Sequence, residues 1–147
     1  MLKKLLATPD DLALLVLRLV LGVVFFAHGA QKALGWFGGH GLSGTLDAFT
    51  QGMGLPLLVA VLVVAAEFLG AIGLIVGFLT RIAAAGIFAV MLGAMAMVHL
   101  KYGFFMNWSG NQAGEGFEYH LLAIAISLAL VLSGGGMASI DRWLSRK

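Results

Sequence analysis

Apolar residues occupy four long blocks of the chain, separated by two more polar stretches and one very short turn. The first block predicts a membrane-crossing helix over about residues 9–34. Thr8 offers a capping hydroxyl, Pro9 suits a first helical turn, and Asp10 and Asp11 face the positive end of the helix dipole. About 20 apolar residues cross a bilayer, so this block is long enough to tilt. Further spans follow over about 56–78, 81–100 and 117–133. Leu79-Thr80-Arg81 is so short a link that the second and third helices must be antiparallel neighbours.

The stretch 36–54 is glycine-rich and cannot span, but Leu42, Leu46, Phe49 and Met53 fall on one helical face. That predicts a short helix lying in the membrane interface. Residues 102–115 form a polar loop whose Tyr102, Phe104, Phe105 and Trp108 suit the same zone. Gly134-Gly135-Gly136 ends the fourth span, and 139–144 predicts a short surface helix anchored by Trp143. The expected fold is all-α: an integral membrane antiparallel four-helix bundle, one transmembrane domain over residues 1–147, with a short interfacial helix between the first and second spans.

Composition agrees. Hydrophobic residues make up 61% of the 147, only 11% are charged, and mean hydropathy is +1.00. A soluble domain of this size could not build a charged shell from so few residues. A net charge of +2 gives no support to nucleic-acid binding. The chain has no cysteine, which excludes disulfides, thiol catalysis and iron–sulfur clusters, so any redox role requires a borrowed cofactor or a partner. The opening Met1-Leu2-Lys3-Lys4 resembles a signal peptide, but the apolar run is too long and lacks a small-x-small cleavage site; a retained first helix is expected. Lys3, Lys4, Arg81, Arg142, Arg146 and Lys147 cluster at the termini and the short turn, while the longer loops hold only Lys32 and Lys101 at their edges. By the positive-inside rule both termini are cytoplasmic.

Two stripes of small residues, Ala66, Gly70, Gly73 and Gly77 on the second span and Ala85, Ala89, Gly93 and Ala96 on the third, predict close approach of those helices. Arg18, His28 and Glu67 are ionisable groups inside hydrocarbon, where each costs a few kcal/mol. Arg18, Phe25, His28 and Lys32 share a stripe on the first helix. At about 1.5 Å per residue, Arg18, Glu67 and His28 lie roughly 9, 18 and 24 Å from the cytoplasmic end. Glu67 therefore requires a cation or a proton, from Arg18, Lys32 or His28. This cluster is either a structural clasp or a functional pocket, and the residues favour neither. A pocket would open towards the outer face, where His40, His99 and His120 also fall.

His99 and His120 on different helices could ligate haem, and Glu115 and Glu118 lie near, but no H-x-x-x-H or E-x-x-H pair occurs. The Met91, Met95, His99 spacing fits copper, although methionine in an apolar helix is usually filler. No metal-ligand set is assigned. Gly134-x-Gly136-x-x-Ser139 follows a membrane helix rather than a strand, so it is not a dinucleotide fingerprint.

The order and spacing of these residues resemble the DoxX family of small bacterial membrane proteins. The similarity runs through Leu17-Arg18-Leu19, Gly22, Phe25, His28-Gly29-x-x-Lys32 and Gly35-Trp36-Phe37-Gly38-Gly39. It continues through Gly54-x-Pro56, Glu67-x-x-Gly70-x-x-Gly73, Gly77-x-x-Thr80-Arg81, His99, Glu118-Tyr119 and Gly134-x-Gly136-x-x-Ser139-x-Asp141. The resemblance implies a four-helix fold in the bacterial inner membrane. It also implies, for some members, a link to quinone or thiosulfate oxidation or to oxidative-stress complexes. Thiol chemistry proposed for related folds cannot apply here.

The functional expectation is a quinone-linked oxidoreductase component. His28 or Glu67 would bond a quinone carbonyl or relay its proton, and Lys32 would stabilise the reduced oxygen. Arg18, Trp36, His99, Glu118 and His120 are expected as ligand-binding residues. The alternatives are a non-enzymatic chaperone, assembly factor or small-solute carrier whose polar cluster is structural, and a haem-binding electron carrier. Expected partners are the lipid bilayer, other copies of the chain or redox subunits.

Overall fold

The computed structural model describes residues 2–146, so Met1 and Lys147 lie outside the described residues. It is all-helical, with no strand among them. The elements are α1 (Leu2–Leu6), α2 (Leu12–Leu34), α3 (Gly41–Asp47), α4 (Leu57–Val76), α5 (Thr80–Ala94), α6 (Glu118–Ser133) and α7 (Ile140–Ser145). A π-turn at Met95–His99 and a 3-10 turn at Leu100–Tyr102 prolong α5. With that extension, α2, α4 and α5 are each long and apolar enough to cross a membrane, and the apolar α6 is shorter.

Capping explains the boundaries. α2 starts at Leu12, not Pro9, because the Asp11 carboxylate accepts from Leu14 N at 3.1 Å. Thr8, expected as the cap, instead accepts from Gly136 N at 2.6 Å and so ties the start of the chain to its tail. α4 ends at Gly77, whose φ of 70° is the left-handed conformation a helix stop needs. α5 begins without a cap of its own, and the Asp141 carboxylate supplies one from the tail, accepting from Leu79 N at 2.7 Å and Thr80 N at 2.8 Å.

α2 packs along α4, α4 against α5, and α5 against α6, with a shorter contact between α2 and α6. Leu21, Phe25, Ala71, Leu74, Ala84, Ile87 and Leu130 form the core. α1, α7 and the short turn share one end, here the terminal end; α3 and the loop after α5 share the other, the loop end.

The closest approach falls between α2 and α4. A Cβ on Gly29 would sit 2.6 Å from Phe68 Cα, and one on Gly22 would sit 2.9 Å from Ile75 Cγ1. The small stripe of α4 meets α5 as expected, but through a different face of α5. Gly70 lies against Ala83, and Gly86 lies against Ala66. Ala85, Ala89 and Ala96 are exposed, and a Cβ on Gly93 would meet nothing within 4 Å. The two helices touch next to their short turn and leave a cleft nearer the loop end.

The interfacial helix forms at Gly41–Asp47 and continues as a π-turn over Ala48–Gly52. The wider turn breaks the 3.6-residue period, so the four apolar residues do not share a buried face. Leu46 and Phe49 are half-buried, while Leu42 and Met53 are exposed. The buried residue is Thr45, whose hydroxyl donates to the Lys32 carbonyl at 3.2 Å.

Candidate functional site

A cavity of about 890 Å³ runs between the helices from α2 and α6 to the cleft of α4 and α5. Phe25, Val63, Ala66, Val90 and Met91 are among its apolar walls, and His28, Lys32, Glu67, His99, Glu115, Tyr119 and His120 are its polar members. Glycine builds the polar end. Because Gly29 lets α2 lie almost on the Glu67 backbone, Lys32, three residues further on, reaches the carboxylate: Lys32 Nζ is 2.5 Å from Glu67 Oε2. Glu67 is buried, and a bare carboxylate there would be untenable, so the ion pair is the condition for its presence.

His28 projects from the same face of α2, its ring 6.3 Å from that of Tyr119 and 6.2 Å from that of Phe25. The rings of His99 and His120 lie against each other with centroids 4.0 Å apart and planes tilted by 37°. His99 Nδ1 lies 2.8 Å from the Glu115 carbonyl oxygen, which can only accept, so this nitrogen carries the proton. Tyr119 Oη and His120 Nδ1 are buried and have no hydrogen-bond partner among the described residues. Buried polar atoms are nearly always bonded, so two orphans lining one cavity mark a place for ligand atoms or water. Rings with centroids 4.0 Å apart leave no gap for a porphyrin plane between them. No three His, Asp or Glu side chains converge as a metal site among the described residues.

Three expected lining residues lie elsewhere. Arg18 is 1% exposed and does not border the cavity. Its guanidinium donates to the carbonyls of Leu74 (2.6 Å), Ile75 (2.8 Å), Gly135 (2.9 Å), Ala138 (3.2 Å) and Met137 (3.3 Å), which joins α2 to the end of α4 and to the tail. Trp36, 52% exposed, is turned outward by the Gly35 helix stop and packs edge-on to Phe26. Glu118 accepts from Met106 N at 2.8 Å and Trp108 Nε1 at 3.3 Å, so it staples the loop after α5 to α6. Tyr119 was not among the expected site residues, although a tyrosine flanked by histidine at the start of an apolar helix implies a buried hydroxyl in need of a partner.

Nor does the cavity open chiefly at the loop end. Most of its exposed rim is apolar and lies along the flank between α4 and α5, where Leu62 and Met97 are 58% and 54% exposed.

The DoxX family model matches residues 13–100, more than half of the chain. The chain belongs to the DoxX family. The matched segment contains Arg18, His28, Lys32, Glu67 and His99, while Tyr119 and His120 lie beyond it. Over 131 residues the chain is 32% identical to "Putative oxidoreductase CatD" of Bacillus subtilis (strain 168), covering 89% of this chain and 86% of that protein. Over 138 residues it is 28% identical to "Inner membrane protein YqjF" of Escherichia coli (strain K12), covering 94% and 96% respectively. No solved structure gives a significant match. The chain is thus a bacterial membrane protein of the DoxX family, with apolar helices suited to a lipid bilayer.

Proposed function

We propose that this protein is the quinone-binding component of an inner-membrane oxidoreductase, crossing the membrane four times with both termini in the cytoplasm. The observation that carries the reading is the cavity in which Tyr119 Oη and His120 Nδ1 lack partners beside the Lys32–Glu67 pair, within otherwise apolar walls. A quinone has the matching form: two carbonyl oxygens that accept hydrogen bonds on an otherwise apolar ring. The cavity's volume of about 890 Å³ is within the ~300–1,000 Å³ usual for small-molecule sites. The name of the CatD relative points to the same class of chemistry.

Reduction of a quinone to a quinol takes two electrons and two protons. The electrons come from a partner subunit with its own redox group; this chain handles orientation and protons. Tyr119 donates to one quinone oxygen and His120 holds the other, and the neighbouring His99 and His120 pass the two protons from the loop end to the quinone oxygens. Lys32, fixed by Glu67, places a positive charge near the oxygen that becomes electron-rich. Glu67 acts through Lys32, as a positioning residue.

Protein purified in mild detergent and extracted with organic solvent should release a stoichiometric quinone by mass spectrometry. Loss of quinone in Tyr119→Phe with retained helicity is the expected companion result. A preparation that neither carries quinone nor takes it up when supplied would overturn the reading. The orientation predicts that a reporter active only in the periplasm works when fused after Gly110 and fails at the C-terminus; the reverse pattern would refute it.

A further inference from the structure

We infer that the ligand enters this site sideways from the lipid, through the cleft between α4 and α5, and that its hydrocarbon tail stays in that cleft. This rests on the quinone reading above and adds to it the route and the class of quinone: one with a long apolar tail.

The argument starts at the loop end, which is roofed. The segment after α5 folds back on itself: Phe117 N donates to the Gly103 carbonyl at 3.1 Å, Glu118 N to the Phe104 carbonyl at 2.9 Å, and Gly116 N to the Phe105 carbonyl at 3.2 Å. Side chains tie it down further, with Asn107 N donating to Glu115 Oε2 at 2.6 Å and His99 Nδ1 donating to the Glu115 carbonyl. Met106 and Glu115 line the cavity from this roof.

The flank is different. α4 and α5 are held together near their turn, where Gly73 lies against the Phe78 carbonyl and Gly86 against Ala66. Beyond Gly86 the two helices part on this flank: Ala89 is exposed, and a Cβ on Gly93 would have open space around it, while Ala94 turns to the core. Ala89, Gly93, Leu62 and Met97 all border the cavity. Leu62 and Met97 are outward-facing apolar residues at membrane depth, so the rim they form meets acyl chains rather than water. His28 and Glu115, polar members of the rim, sit at its loop end. Polarity thus falls from the histidines towards the cleft, which suits an amphiphile with its ring at Tyr119 and His120 and its tail between α4 and α5.

The full chain in lipid nanodiscs provides the test. A long-tailed quinone carrying a photoreactive group at the far end of its tail should label α4 and α5 at the cleft. Gly93→Phe should lower loading of long-tailed quinone from the bilayer about tenfold or more, because the ring occupies the space the tail needs. Binding of a tailless, water-soluble quinone should change less than about twofold, since the ring site is untouched. Ala89→Phe is a second variant in case Gly93→Phe folds poorly. Unchanged loading in both variants, or labelling confined to the loop after α5, would overturn the lateral route while leaving the quinone site standing. If neither quinone binds the parent protein, the functional reading falls and the route with it.

Discussion

At the terminal end of the bundle Arg18 is buried and its guanidinium meets five backbone carbonyls, whereas at the loop end Tyr119 Oη and His120 Nδ1 are buried and meet nothing. Both ends place polar atoms where water is scarce, and the difference lies in what surrounds them. The acceptors of Arg18 come from α4 and from the tail, segments far apart in sequence, so the charge works as a clasp. Leu79 and Ala138, two non-glycine residues with left-handed backbone (φ 49° each), lie beside it. Their strain persists because Asp141 holds the Leu79 amide and Arg18 holds the Ala138 carbonyl. Thr80 Oγ1 and Arg81 Nε also lack a partner among the described residues at this end, but neither borders the cavity. At the loop end the orphaned atoms do border it. Satisfied polarity holds the helices together; unsatisfied polarity beside open volume waits for a ligand.

This contrast can be broken most sharply at Arg18. Arg18→Met should remove about 3 kcal/mol or more of stability, since a charged group with several buried hydrogen bonds disappears and its carbonyl partners are stranded. Thermal unfolding in detergent would show the loss, and a variant melting like the parent would remove the clasp from the account. A smaller effect separates two glycines. Gly29→Ala should cost about 1–3 kcal/mol, because its Cβ would press on the α4 backbone. Gly93→Ala should instead raise stability by about 0.5–1 kcal/mol, since its Cβ enters open space and the helix gains a better former. Equal losses at both positions would mean that α4 and α5 pack along their whole length and that no cleft exists.

Much of this was visible in the hydropathy pattern. The blocks placed every long helix to within a few residues, and depth along the helices required for Glu67 a cation or a proton from Arg18, Lys32 or His28; Lys32 is the group that meets it. The same depth estimate could not show that Arg18 turns to carbonyls of residues 74–75 and 135–138, because those acceptors arrive only when the tail folds back. Trp36 and Glu118 were expected to bind the ligand, yet a glycine helix stop and a loop hydrogen bond redirect them. Gly93 shows a deeper limit. A small residue on a membrane helix looks the same in sequence whether it admits a neighbouring backbone or leaves a gap for something else. Tyr119 was legible in principle, from its hydroxyl at the mouth of an apolar helix.

The most direct test of the division between clasp and ligand site is the stabilisation that a long-tailed quinone confers on three proteins: the parent, Arg18→Lys, and the double variant Tyr119→Phe with His120→Phe. A ligand that binds only the folded state at a hundred times its Kd stabilises by about 2.7 kcal/mol. The account predicts that full gain in the parent and in Arg18→Lys, although the latter starts from a lower melting temperature. It predicts almost no gain in the double variant, which should melt no earlier than the parent without ligand because it loses only unpartnered polar atoms. An undiminished gain in the double variant, or its disappearance in Arg18→Lys, would contradict the account.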